Sequence, residues 1–211
     1  MKRLLASAFA LMLAAPAPAP ALADTPARIR GVVVGVENNV LTVKPTAGDL
    51  VKPTTGDNVQ IRLVDDWSVN AVVKAKVEDI KPGVFVGVAS APKGEDTTGL
   101  EALELVVFPE AMRGAGEGHY PWDLQPNSQM TNATVASQVE DVKGRTLTLT
   151  YKGGEKKITL PANTPIVTLT NADKQDVKPG AAVFVPAQKK DDGSLQASRV
   201  LVGKDGLVPP M

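Results

Sequence analysis

The chain has 211 residues, with 23 basic and 23 acidic side chains, one histidine and no cysteine. The lack of cysteine excludes disulfides, thiolate catalysis and centres in which cysteine binds zinc or an iron–sulfur cluster. Nucleic-acid binding depends on an excess of lysine and arginine that neutralises phosphates, so the charge balance argues against a nucleic-acid partner.

The first 23 residues have the pattern of a secretory signal peptide. Lys2 and Arg3 precede an apolar run, Leu4–Leu13, and small residues lead to a cleavage site after Ala23. An uncleaved anchor is the weaker alternative, because a membrane-spanning helix needs about 20 apolar residues. No later segment is apolar for long enough to span a bilayer. We therefore predict a periplasmic protein whose mature chain has 21 basic and 23 acidic side chains, a net charge of −2.

The rest of the chain reads as two copies of one unit. Asp79–Gly83 has the sequence Asp-Ile-Lys-Pro-Gly, and 97 positions later Asp176–Gly180 reads Asp-Val-Lys-Pro-Gly. Other matches keep the same order: Ile61–Leu63 with Ile158–Leu160, Val36–Glu37 with Val139–Glu140, Leu41–Val43 with Leu147–Leu149, and Leu100–Ala102 with Leu195–Ala197. Agreement of order and spacing over nearly a whole unit indicates a duplication.

Each unit has the signals of short strands bounded by turn residues. In the first unit the predicted strands are Val32–Val36, Leu41–Val43, Val59–Leu63, Val84–Val88 and Leu103–Phe108. Five strands with a helical turn between the third and fourth are typical of an OB-like barrel, whereas an eight-stranded sandwich needs more strands. We predict an all-β protein of two tandem five-stranded OB-like β-barrels, residues 24–110 and 131–211, joined by an ordered connector, residues 111–130.

The first hairpin loop of the first unit, residues 43–60, is longer than its counterpart. Leu41 and Ile61 are 20 positions apart, whereas Leu147 and Ile158 are 11 apart. A surface loop can grow at little cost in closure entropy, so the extension needs no functional reason. A binding role for this loop stays open.

The connector and the segments beside it resemble a known family. The quoted stretches are Pro109–Leu124, Met130–Thr134 and Val202–Gly206, together with the two Lys-Pro-Gly segments. The chain is similar to exported bacterial proteins of unknown function with tandem OB-like domains, whose members are often labelled metal ABC transporter permeases. A permease must span the membrane, so the resemblance implies a fold and no established activity. An accessory role beside a metal transporter stays open.

The connector holds the one histidine of the chain. Glu117, His119 and Asp123 offer imidazole and carboxylate ligands for a divalent metal. We favour the structural alternative, in which Tyr120 and Trp122 fill the seam between the barrels while His119 makes ordinary hydrogen bonds. We expect any ligand to lie near this seam, with Tyr120 and Trp122 as a candidate interface or ligand face. The sequence predicts no other cofactor.

Asp65, Asp66 and Trp67 are a second candidate face for a ligand or partner. Neighbouring side chains of a strand point to opposite faces, which would separate the two carboxylates. The second unit has no matching acidic pair or indole, since Ala162–Thr164 occupies these positions. We favour a turn with a half-buried Trp67 over a site.

Enzyme signals are few. The chain has no G-x-S-x-G motif and a single histidine, so the common hydrolase arrangements are missing. We predict a non-enzymatic periplasmic binding or interaction protein, with an unknown small ligand or an envelope protein as its partner. The alternatives are a metal-handling accessory protein that uses the connector and a structural envelope protein that pairs with another protein.

Overall fold

The computed structural model describes residues 25–46, 58–93, 96–141 and 144–211. Within those ranges the regular structure is strands and short 3-10 turns, which confirms the predicted all-β class. The described residues include no helix that could cross a membrane. The strands are β1 (Thr25–Glu37), β2 (Val40–Pro45), β3 (Val59–Lys74), β4 (Phe85–Lys93), β5 (Asp96–Val107), β6 (Gly118–Pro121), β7 (Gln129–Asp141), β8 (Gly144–Tyr151), β9 (Gly154–Leu160), β10 (Ile166–Asn171), β11 (Ala182–Lys189) and β12 (Leu195–Gly203).

The predicted signal peptide, residues 1–23, and most of the long loop at 43–60 lie outside the described residues. The 3-10 turns are Val77–Asp79, Glu110–Met112 and Lys174–Asp176.

Five strands close into a barrel that we call the first ring. Its strand order is β12-β11-β1-β2-β3, and parallel pairing of β12 with β3 closes it. Its interior is a cluster of buried apolar residues that includes Ile29, Leu41, Ile61 and Val200. Alternation along β1 places Ile29 inside and the flanking arginines, Arg28 and Arg30, on the outer face.

A second set of strands, which we call the second ring, follows the order β5-β4-β7-β8-β9. Parallel pairing of β5 with β9 closes it over only two residue pairs, Leu100 with Ile158 and Glu101 with Thr159. Its interior is a separate apolar cluster that includes Val88, Leu105, Leu147 and Ile158.

The strands do not enter the rings in the chain order that we predicted from the two units. The first ring takes β1, β2 and β3 from the first unit and β11 and β12 from the second. The second ring takes β7, β8 and β9 from the second unit and β4 and β5 from the first. The division at residues 110 and 131 therefore separates the two sequence repeats but does not separate the two rings.

The exchange occurs beside the second half of β3, which belongs to the first ring and also borders β10. This half pairs with β12 on one side and with β10 on the other. The chain therefore leaves β3 at the second ring, where the next two strands find their partners. The residue before each Lys-Pro-Gly sequence is buried in the ring of the other unit: Ile80 packs in the second ring and Val177 packs in the first.

The two halves are related by a local two-fold arrangement. Val72 of β3 lies opposite Leu169 of β10, and these residues are 97 positions apart, the same offset as the sequence repeat. The antiparallel β3–β10 pairing thus joins equivalent strands around a shared centre, which links the rings into one sheet.

The structure revises one detail of the repeat. Val36 lies opposite Leu41, and Gln138 lies opposite Leu147, the counterpart of Leu41. Val36 therefore corresponds to Gln138, one residue before the predicted Val139. A shift of one residue moves a side chain to the other face of a strand, and Val139 is 64% exposed.

Asparagine and glycine take positive φ in several of the turns that bound the strands. Asn38 and Asn39 both have positive φ between β1 and β2, as a two-residue hairpin requires. Gly83 and Gly180, at equivalent positions, have φ of 89° and 87° after the 3-10 turns. Gly193 has φ of 81° in the turn between β11 and β12.

A third apolar cluster lies between the rings, and we call it the seam. It is built from outward-facing residues of both rings together with the β3–β10 pair and the C-terminal segment. Its buried members are Val72, Val106, Val167, Leu169, Phe184, Leu201 and Met211.

Candidate functional site

A groove of about 330 Å³ opens in the wall of the second ring. Its lining comes from the end of β4, the first half of β5, the connector and the loop between β9 and β10. The polar residues at its rim include Lys93, Glu101, Gln125 and Asn163.

The groove exists because the parallel ladder along β5 is interrupted. β5 pairs with β9 as far as Glu101 and pairs with β10 only from Leu105 onward. Between those points β9 has ended and the loop carries Pro161 and Pro165. Proline has no backbone N–H to donate to a ladder, so these two residues keep the wall open.

A β-bulge sits at the same place on the other side of β5. Ala89 lies opposite Glu104 and Ser90 lies opposite Ala102, so Leu103 is an extra residue without a register partner on β4. Leu103 has no register partner on β9 or β10 either, and it lines the groove.

The first ring has a tryptophan where the second ring has the groove. Trp67 and Thr164 are equivalent at the 97-residue offset. Trp67 follows the first stretch of β3 that pairs with β12, and Thr164 follows β9, which pairs with β5. Trp67 lies within β3, is 6% exposed and packs in the core of the first ring. The predicted turn and half-buried indole at Trp67 are therefore wrong, because β3 continues through this segment.

Thr164 leaves the corresponding space open. Its hydroxyl Oγ1 donates a hydrogen bond to the Ala102 carbonyl at 3.4 Å, which ties the loop to β5 without filling the opening. In the first ring the Trp67 indole is also covered by the Lys174 ammonium, 4.7 Å from the ring centroid. At this position the first ring thus has a buried tryptophan, and the second ring has a threonine that lines the groove.

The charges at the rim of the groove balance. Lys93 Nζ lies 4.0 Å from Glu101 Oε2, and the two side chains are 56% and 36% exposed. The other polar side chains of the lining are neutral: the amides of Gln125 and Asn163 and the hydroxyl of Thr164. The site can offer hydrogen bonds in both directions without attracting an ion of either sign.

The structure does not bring the three predicted metal ligands together. Glu117 Oε1 accepts a hydrogen bond from the Lys152 backbone N–H at 3.0 Å. His119, on β6, places Nδ1 2.8 Å from Thr131 Oγ1, and its ring stacks on Tyr151. Burial, with a smaller effect of nearby Lys156, lowers the pKa of His119.

Asp123 lies at the seam, where it contacts two arginine side chains and neither of the other two predicted metal ligands. The Arg30 guanidinium donates to both Asp123 carboxylate oxygens, at 2.8 and 3.2 Å, and Arg28 Nη1 lies 3.9 Å away. No cluster of three metal-ligating side chains occurs in the described part of the chain. The metal centre at Glu117, His119 and Asp123 stays a prediction without geometric support.

Tyr120 and Trp122 lie between the rings. Trp122 contacts Phe184 of β11, with ring centroids 6.4 Å apart, and the Arg28 guanidinium lies 3.9 Å from its ring centroid. The Tyr120 hydroxyl accepts a hydrogen bond from the Asn132 amide of β7 at 3.2 Å. The connector therefore touches the first ring through Trp122 and the second through Tyr120.

Glu104 is a buried carboxyl beside the groove that the sequence reasoning missed. Its side chain is 1% exposed, and neither carboxyl oxygen has a hydrogen-bond partner among the described residues. Burial raises the pKa of Glu104 to about 8. The positive charge of Arg30 lowers this pKa, and the negative charge of Asp123 raises it further. Leu103 lines the groove, whereas the neighbouring Glu104 lies near Arg30 and Asp123, so this short segment of β5 lies between the groove and the seam.

The groove residues carried a weak sequence signal. The repeat shows Thr164 in place of Trp67, and two prolines bracket the loop. Pairing of β5 with strands of the second unit could not be read from either unit alone, so the wall that contains the opening was not predicted.

Comparisons with protein-family models, with curated protein sequences and with solved structures found no match to this chain. The resemblance to exported proteins with tandem OB-like domains therefore stays a prediction.

Proposed function

We propose that the chain is a non-enzymatic periplasmic binding or interaction protein, built from two OB-like rings, with the groove of the second ring as its ligand site. The periplasmic location rests on the predicted signal peptide, residues 1–23. The OB-like assignment rests on the five-stranded rings, with a 3-10 turn before β11 in the first ring and before β4, the equivalent strand, in the second.

The groove is the observation that carries the proposal. Its volume of about 330 Å³ lies in the range of small-ligand sites, about 300–1,000 Å³. The same position in the first ring is filled by Trp67, which is 6% exposed. A binding protein needs such an opening, whereas the stability of the ring would be served better by a second tryptophan.

The chemistry of the groove favours binding over catalysis. Glu104, whose pKa burial raises to about 8, is a natural candidate for a general acid. It is not among the residues that line the groove. Lys93 and Glu101, which do line it, are partly exposed and pair with each other.

The connector supports the proposal by fixing the geometry of the site. Gln125 lies at the groove rim, and two residues earlier Asp123 is held by the Arg30 guanidinium. The bidentate pair anchors this part of the connector to the first ring. The rim of the groove is thereby positioned by both rings.

The experiment that tests the proposal fills the groove. Thr164→Trp restores the residue type that the first ring has at this position, and Thr170→Trp is the matched control on the exposed face of β10. A library of small polar compounds is screened by chemical-shift changes in the ¹⁵N-labelled protein. We expect hits that shift the amides of Leu103, Gln125 and Asn163, that persist in Thr170→Trp and that vanish in Thr164→Trp. Hits that are unaffected by Thr164→Trp, or a screen without groove hits, would contradict the proposal.

A further inference from the structure

One carboxylate at the seam is shared by two arginines of β1. Nη1 and Nη2 of Arg30 donate to the two oxygens of Asp123, at 3.2 and 2.8 Å, and Arg28 Nη1 lies 3.9 Å from the same carboxylate. Arg30 Nε also donates to the main-chain oxygen of Met211. The Asp123 side chain is only 5% exposed, so water screens these charges weakly.

A second carboxyl, that of Glu104, lies near this group. Neither of its oxygens has a hydrogen-bond partner among the described residues, and the side chain is buried. Its register partner on β4 is Ala89, so the charges that act on it are those of Arg30 on β1 and Asp123 in the connector. Burial raises the pKa of Glu104 to about 8, so at neutral pH the carboxyl keeps its proton and does not compete for Arg30.

Loss of that proton creates a competitor for Arg30. A buried carboxylate needs a cation or hydrogen-bond donors, and Arg30 is the cation that acts on Glu104. The Nη1–Nη2 fork that holds Asp123 fits one carboxylate in this two-bond geometry. Asp123 keeps a cation if Arg30 turns away, because Arg28 already lies 3.9 Å from it.

Arg28 links this exchange to the aromatic part of the connector. Its guanidinium lies 3.9 Å from the centroid of the Trp122 ring, a distance at which the ring face attracts the cation. A hydrogen bond from Arg28 to Asp123 would shift the guanidinium on that face and change the surroundings of the indole. Gln125, at the rim of the groove, follows Asp123 by two residues, so movement of Asp123 is transmitted to the rim.

We propose that Glu104, Asp123 and the two arginines of β1 form a proton-operated switch at the seam. While Glu104 is protonated, Arg30 holds Asp123, as in the structure. When Glu104 releases its proton to solvent, Arg30 turns to Glu104. Arg28 then takes its place on Asp123 and shifts on the face of Trp122. The switch needs no ligand, so it stands or fails independently of the binding function proposed for the groove.

The test follows the seam by ¹H–¹³C NMR from about pH 7 to about pH 9.5, with signals from carbon-bound protons and from carboxyl carbons. The pKa of His119 is lowered and that of Tyr120 is raised, in both cases chiefly by burial, which keeps both groups from titrating within this range. We expect the Glu104 carboxyl carbon and the Trp122 ring signals to titrate with one midpoint near pH 8. The ring signals of Trp67, in the core of the first ring, should stay constant.

Three variants locate the group that drives the change. Glu104→Gln should keep the Trp122 signals at their low-pH positions throughout. Glu78→Gln is the matched control, because Glu78 is exposed in a 3-10 turn, and it should leave the titration unchanged. Asp123→Asn should lower the Glu104 midpoint by about one pH unit, because the charge of Asp123 raises the pKa of Glu104 and holds Arg30.

Three results would overturn the switch. Trp122 signals that titrate equally in wild type and Glu104→Gln would show that another group drives the change. A Glu104 carboxyl that titrates below about pH 6, or that stays protonated to the end of the range, would have no proton to release near pH 8. Titration of Glu104 without a change at Trp122 would show that the arginines keep their partners.

Discussion

At the scale of single residues, Glu104 is an ionisable side chain that is buried in the protein. It sits on β5 opposite Ala89, is 1% exposed and lies near the Arg30–Asp123 pair. An ionised carboxylate without hydrogen bonds is costly in such a place, so the side chain takes up a proton instead. Its burial therefore makes the stability of the protein depend on pH.

Replacement of Glu104 by glutamine tests this dependence. The folded pKa of about 8 lies above the unfolded value of 4.5, so the folded state holds its proton while the unfolded state releases it. The free energy of unfolding should fall as pH rises from 4.5 to about 8, by at most about 5 kcal/mol at about 1.36 kcal/mol per pKa unit. Glu104→Gln should remove that decline, as measured by urea unfolding between pH 5 and 9.

Glu78→Gln serves as the control, because Glu78 is exposed in a 3-10 turn and should leave the decline intact. Equal slopes in wild type and Glu104→Gln would show that Glu104 is ionised or solvated in the folded protein.

At the scale of elements, equivalent strands of the two units differ in continuity. β3 runs unbroken through Trp67, whereas its counterpart is split into β9 and β10 around Pro161 and Pro165. Trp67 packs inside the first ring and contributes to its core, although it has no register partner on β12.

Trp67→Thr should therefore destabilise the protein strongly. Removing a buried indole costs about 3–5 kcal/mol, through lost transfer free energy and the cavity left behind. Chemical denaturation measures the change, with Trp122→Thr as a comparison at the seam, where the indole is only partly buried. A loss below about 1 kcal/mol would mean that the first ring collapses onto the vacated space.

At the scale of the whole molecule, the rings share their chain segments. Each ring holds three strands of one unit and two of the other, and the β3–β10 pair joins them. If one ring unfolds, the chain segments that connect it to the strands of the other ring unfold too, as in a domain swap within one chain. Unfolding should therefore be a single cooperative event.

Leu41→Ala and Leu147→Ala test the coupling with a matched pair. Both leucines are fully buried at equivalent positions, Leu41 in the first ring and Leu147 in the second. Each substitution should cost about 2–5 kcal/mol and lower hydrogen-exchange protection in both rings by a similar amount. Protection lost only in the mutated ring would show that the rings unfold independently.

The sequence by itself determined the local structure. Short β-branched segments bounded by turn residues predicted the strands, and the repeat predicted two equivalent units. These features depend on neighbours a few residues apart, which is why they could be read along the chain. The same reasoning failed at Trp67, which lies within β3 and packs in the core of the first ring.

Only the tertiary structure decided which strands share a ring. A unit that closes on itself and a unit that exchanges two strands with its twin have the same local pattern and the same buried positions. The choice depends on the length of β3 and on its pairing with β10, contacts between residues about 100 positions apart. The groove followed from that choice, because its opposite walls, β5 and the β9–β10 loop, come from different units.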